Sequence, residues 1–107
     1  MIVVVEDPFV TSFLRSLLAK NGYRVVTAEP EHGLEMLRGH AVEADLLITN
    51  RPALFREVGA RIPLLYLCAF PDRAQVASFR IAITLRKPFQ PRQLLDAIGH
   101  LLADAKR

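Results

Sequence analysis

The chain carries one cysteine, Cys68, among 107 residues, and one thiol cannot close an internal disulfide. That excludes a disulfide-stapled secreted scaffold and makes a reducing cytoplasm the expected compartment. No apolar run approaches the ~20 residues that a membrane-crossing helix needs. The opening MIVVV has neither a basic region nor a cleavage site beside it, so it reads as a strand rather than a signal peptide. Repeats and low-complexity segments are missing too. Neither sign of charge dominates: 14 Lys and Arg against 11 Asp and Glu leave +3. This balance permits an acidic partner or an anionic ligand but is too weak to specify nucleic acid. The three histidines, His32, His40 and His100, fall on predicted helices without carboxylate or cysteine spacing. They read as solvated surface residues, not as metal ligands or a phosphorelay histidine.

What is present is an apolar chain, 51% hydrophobic, long enough for one compact core and one domain over residues 1–107. The central stretch is Asp45 to Asn50, DLLITN, whose continuous apolar run fits a strand buried on both faces of a parallel sheet. MIVVVED, ending on Glu6 and Asp7, is a second such run. Pro63 to Cys68 is another, and Tyr23–Thr27 and Ile81–Leu85 complete five strands. Helices are predicted between them. Pro8 opens one whose apolar stripe is Phe9, Val10, Phe13, Leu14, Leu17 and Leu18, stopped by Asn21-Gly22. Pro30 opens a second, stopped by Gly39. A short helical stretch covers Leu54–Val58. Phe70–Arg80 reads as a full helix with Val76 and Phe79 inward, and Pro91 starts the last.

Strand alternating with helix implies right-handed β-α-β units and a parallel α/β sheet. Chemistry in such sheets gathers past the carboxyl ends of the strands. Glu6-Asp7, Asn50 and Lys87-Pro88 of LRKPF lie at three such ends and define one predicted site.

An apolar strand closing on an acid pair, a central strand closing on the Asn50 position, and a late strand closing on Lys-Pro-Phe resemble the receiver domain of bacterial response regulators. The resemblance implies a flavodoxin-like three-layer sandwich with strand order 2-1-3-4-5. It implies that Glu6 and Asp7 stand where family members hold Mg²⁺, and that Asn50 stands where an Asp takes phosphate from a histidine kinase. Lys87, and Cys68 in place of a Ser or Thr, take the phosphate-contact positions. Thr84 takes the aromatic-switch position. The 50–63 loop lacks the usual Met-Pro-Gly segment, so the third helix is expected to be short.

Phosphoryl transfer to a carboxylate needs an anionic oxygen, and the Asn50 amide has a poor oxygen nucleophile and no free lone pair on nitrogen. Without a third carboxylate the Mg²⁺ site at Glu6 and Asp7 is expected to be weak or vestigial. Lys87 then serves as their internal counter-ion, with Asn50 hydrogen-bonding beside it and Arg51 and Arg86 as competitors. The expectation is a degenerate receiver, or pseudoreceiver. It is non-enzymatic, needs no cofactor, and signals through protein contacts such as a histidine kinase, a regulator domain or a second receiver. Arg73, Arg80, Arg86 and Arg92 mark the candidate interaction face, with Phe70, Phe79, Ile81 and Ile83 as its apolar part. Two rivals are a sensor of an anionic small molecule such as a cyclic dinucleotide, and a working phosphoacceptor in which Asn50 is an engineered block. Cys68 is expected to be an inert strand-end thiol.

Overall fold

Leu64–Cys68 and the two four-residue runs Ile2–Val5 and Leu46–Thr49 are buried at every position. The computed structural model describes residues 1–39 and 43–105, and in it these runs form the middle of a sheet with helices on both faces. The strands are β1 (Ile2–Val5), β2 (Val25–Thr27), β3 (Leu46–Thr49), β4 (Leu64–Cys68) and β5 (Ala82–Arg86). All pairings are parallel, and the order is β2-β1-β3-β4-β5. His40 lies outside the described residues. No helix among those described is long and apolar enough to cross a membrane.

Strand side chains alternate between two cores because successive residues point to opposite faces. On one side, Ile2, Val4, Ile48, Leu65 and Leu67 pack under α1 (Pro8–Lys20) and α4 (Pro91–Ala105), which contribute Leu14, Leu18, Leu94, Ile98 and Leu101. On the other, Val3, Val5, Leu47, Leu64 and Tyr66 meet Leu37 of α2 (Pro30–Arg38) and Phe55 and Val58 of a 3₁₀ helix, Pro52–Val58. Each fully buried Leu or Ile contributes about 1.5–3 kcal/mol relative to exposure. Gly33 of α2 is required by this packing, since a Cβ there would lie 2.8 Å from Val5 Cγ2.

Local signals set the ends. Asp7 caps α1, its Oδ1 accepting from the Val10 N–H at 3.2 Å, with Pro8 in the first turn. Gly22, at φ +83°, turns the chain out of α1 toward β2. The expected α1 stripe is too wide. Leu14 and Leu18 are buried and Val10 and Leu17 partly so, but Phe9 is 90% and Phe13 43% exposed. At 100° per residue, positions 9 and 13 fall on the flank of the arc formed by 10, 14, 17 and 18.

The predicted helix Phe70–Arg80 is corrected more sharply: α3 is only Arg73–Val76. Asp72 starts it, its carboxylate accepting from the Ala74 N–H at 3.0 Å. Gln75 turns back to accept from the Ala53 N–H at 3.1 Å, tying α3 to the 3₁₀ helix. The Arg80 N–H then donates to the Gly59 carbonyl at 3.1 Å. This pulls Ser78 and Phe79 so close that a Cβ on Gly59 would stand 2.2 Å from the Ser78 oxygen. Apolar spacing placed Val76 and Phe79 inward, and they do pack inward. It carried no sign that the backbone leaves the helix to reach Gly59.

Candidate functional site

The predicted site residues meet at the carboxyl ends of β1, β3 and β5. The Glu6 side chain has no solvent exposure, and the Lys87 ammonium donates to both its carboxylate oxygens, at 3.0 and 3.1 Å. Lys87 is delivered there by its own backbone, whose N–H donates to the Cys68 carbonyl at 2.7 Å and extends the β4–β5 ladder by one rung. The Lys87-Pro88 peptide is cis. Asp7 is half exposed, and its Oδ2 is 3.9 Å from the ammonium. The two acids thus differ: Glu6 takes both short contacts with Lys87, while Asp7 caps α1 through Oδ1 and makes only the longer ion pair through Oδ2.

Burial pushes the Glu6 carboxyl above its usual range. The Lys87 hydrogen bond and charge pull it down, and the Asp7 charge adds a smaller upward push. The Thr11 hydroxyl donates to the Glu6 carbonyl at 3.0 Å and fixes the turn between β1 and α1. At the end of β3 the fully buried Thr49 accepts from the Arg51 N–H at 3.1 Å. Asn50, between them, is half-buried and lines a 210 Å³ cavity with Val5, Glu6, Asp7, Pro30 and Arg51.

The Asn50 amide makes no side-chain hydrogen bond among the described residues. The hydrogen bond expected of Asn50 is therefore missing, and two of the three ammonium donors of Lys87 go to Glu6. Arg51 and Arg86 make no ion pair there either. As donors for a hard divalent cation the pocket offers the half-exposed Asp7 carboxylate and the Asn50 amide oxygen, while both Glu6 oxygens accept from the Lys87 ammonium. No group of three or more metal-ligating side chains exists among the described residues.

Cys68 is buried at the end of β4, one strand away from the cavity. Thr84 is not brought to the pocket. It pairs in register with Tyr66 and points, exposed, from the face of β5 that α3 leaves open. Burial and the neighbouring Cys68 push the Tyr66 hydroxyl above its ordinary range. Arg73, Arg80, Arg86 and Arg92 are all exposed, spread over α3, the two ends of β5 and the first turn of α4. His32 and His100 are exposed as expected. Sequence reasoning missed a 330 Å³ apolar cleft beside the pocket, lined by Phe9, Val10, Phe13, Lys87, Pro88 and Phe89. Its signal was present in the two aromatic residues on the flank of the α1 stripe.

No family model matches the sequence, and no curated protein does. Solved structures do match in shape. The N-terminal domain of a response regulator/sensory box/GGDEF protein from Carboxydothermus hydrogenoformans is similar at TM-score 0.81 and 21% identity, over 98% of this chain and 95% of that one. The signal receiver domain of a histidine kinase from Syntrophus aciditrophicus is similar at TM-score 0.76 and 25% identity, over 99% and 92%. A putative response regulator from Chloroflexus aurantiacus is similar at TM-score 0.74 and 23% identity, over 95% and 96%. With its five parallel strands in the order 2-1-3-4-5 and its acid pair, Asn50 and Lys87 at adjoining strand ends, this chain has the receiver-domain fold of response regulators.

Proposed function

We propose that this domain is a degenerate receiver: a non-enzymatic signalling module that works through protein–protein contacts and is not switched by phosphate. The observation that carries the reading is the pairing of Lys87 with both oxygens of Glu6 beside an amide at Asn50. The group that would contact an incoming phosphate is already satisfied, and no anionic nucleophile stands opposite it. Mg²⁺ binds weakly at best, because Glu6 is neutralised from within. The partner is a protein such as a histidine kinase or a regulator domain, or a second copy of the domain, met through the face that carries Arg73, Arg80, Arg86 and Arg92.

An anionic small molecule fits less well. Arg73, Arg80, Arg86 and Arg92 are exposed and spread over three elements rather than gathered in a cleft, and the two clefts that hold Arg51 are also lined by Glu6 and Asp7, or by Glu29, Glu31 and Glu35. The test is to offer a small phosphodonor and Mg²⁺ to the wild-type chain and to Asn50→Asp, and to weigh the intact proteins. The expected result is no phosphoryl adduct on the wild type. A stable adduct of one phosphoryl group on the wild type overturns the reading.

A further inference from the structure

One strip of the sheet has no helix over it. In register with Leu64, Tyr66 and Cys68 of β4, the next strand presents Ala82, Thr84 and Arg86 on the same face. The β4 residues are buried, but the three β5 residues are exposed, while Ile83 and Leu85 on the opposite face pack into the α1–α4 core. The cause is local to this chain: α3 is four residues long and is tied sideways to the 3₁₀ helix through Gln75 and the Arg80–Gly59 bond.

The strip has a definite chemistry. Ala82 and Thr84 are small, so a helix can lie close over them. At the adjoining end of β4, two residues past Cys68, Phe70 is 83% exposed. Arg80 stands before β5, Arg86 closes it and Arg73 opens α3. None of these arginines makes an ion pair or a side-chain hydrogen bond among the described residues. Asp72 beside them is engaged as the cap of α3.

We infer that this bare strip of β5 is the seat of an amphipathic helix with acidic side chains, contributed by a different protein. The inference rests on the reading of the domain as a protein–protein module and names its class of partner. Charge decides the occupant. A second copy docked face to face would set Arg80 and Arg86 against themselves, which is costly. The chain's own acidic helix, α2, has its apolar face committed to its own core through Leu34 and Leu37. Fully extended, the six steps from Arg80 to Arg86 reach at most about 20 Å, the length of a helix of about 13 residues. The complementary helix therefore carries carboxylates about three turns apart and an apolar stripe between them.

The test uses the full chain, isotope-labelled, and two cross-linked helical peptides of that length. They share an apolar stripe, one having Glu and the other Lys at its two ends. The acidic peptide is expected to shift the amide signals of Ala82, Thr84 and Arg86 and to bind at least tenfold more tightly than the basic one. Arg80→Glu with Arg86→Glu should remove that preference, and Thr84→Lys should block binding. All three positions are exposed, so circular dichroism should show the fold unchanged. Equal binding of the two peptides, no binding, shifts confined to α1 and α4, or concentration-dependent self-association through β5 would each overturn the inference. Phosphate incorporation is measured separately. If the chain takes phosphate yet the acidic peptide still seats on β5, the reading of an unswitched domain fails and the groove stands.

Discussion

The Lys87 ammonium lies 3.0 and 3.1 Å from the two carboxylate oxygens of Glu6, a side chain with no solvent exposure. Asp7, its neighbour in sequence, is 3.9 Å away and half exposed. The counter-ion therefore sits much closer to Glu6 than to Asp7. Lys87→Met should strip a buried carboxylate of its partner and cost about 2–4 kcal/mol at neutral pH, somewhat below the roughly 3–5 kcal/mol typical of fully buried pairs because Lys87 is partly exposed. Adding Glu6→Gln should recover much of the loss, whereas adding Asp7→Asn should recover little. Urea unfolding of the wild type, the three single variants and the two double variants decides it. Coupling to Asp7 larger than coupling to Glu6 would contradict the geometry.

The pH dependence of the same pair has a definite sign. Burial raises the folded-state pKa of Glu6 above its unfolded value, so the native state binds the proton more tightly. The stability contributed by this group is fully present below the unfolded pKa and is lost as pH rises through the folded one. The stability of the wild type minus that of Glu6→Gln should thus be largest under acid conditions and fall toward neutral pH. Denaturant melts at several pH values measure it, and a difference that grows with pH would refute the assignment.

Much of this molecule is legible in its residues because strands buried on both faces need continuous apolar runs. MIVVV, LLIT and LLYLC therefore announce the sheet centre, and Pro8, Pro30 and Pro91 announce helix starts. Glu6, Asp7, Asn50 and Lys87 are legible as one site because parallel strands bring their carboxyl ends together. The limits of α3 are not. They depend on Gln75 reaching Ala53 and on Arg80 bonding to Gly59, contacts across 22 and 21 positions (75 − 53 and 80 − 59) that no local pattern encodes. The solvent face of β5 is hidden for the same reason: ITL reads as buried strand until the helix meant to cover it proves to be short. The division of Glu6 from Asp7 escaped as well, since adjacent acids look alike until one is seen to cap a helix.

Metal response is a third expectation. A ligand at a hundredfold excess over its Kd stabilises the native state by about 2.7 kcal/mol, a shift of roughly 10–20 °C for a domain of this size. With Glu6 held by Lys87 and an amide at Asn50, millimolar Mg²⁺ should leave the melting temperature of the wild type unchanged within about 1 °C, a shift worth only a few tenths of a kcal/mol. Asn50→Asp should gain a measurable upward shift by supplying a third carboxylate. Differential scanning calorimetry with and without Mg²⁺ checks both, and a wild-type shift of several degrees would show a working metal site.

The last prediction concerns two glycines that look equivalent in sequence and differ in surroundings. Gly59 follows the 3₁₀ helix, where a Cβ would meet the Ser78 carbonyl oxygen at 2.2 Å and the Phe79 Cα at 3.2 Å. Both are backbone atoms, so relief requires moving the segment that fixes Phe79 and the Arg80–Gly59 hydrogen bond. Gly59→Ala should cost roughly 1–3 kcal/mol by overpacking. It should also speed hydrogen exchange at the Arg80 amide, the donor of that bond. Gly99 lies inside α4, where an added Cβ would meet nothing within 4 Å. There Gly99→Ala should stabilise by about 0.5–1 kcal/mol through helix propensity and a less flexible unfolded chain. Opposite signs in paired urea melts are the expected outcome. If Gly59→Ala were neutral, the Gly59–Ser78 contact would not be what ends α3, and the bare face of β5 would need another cause.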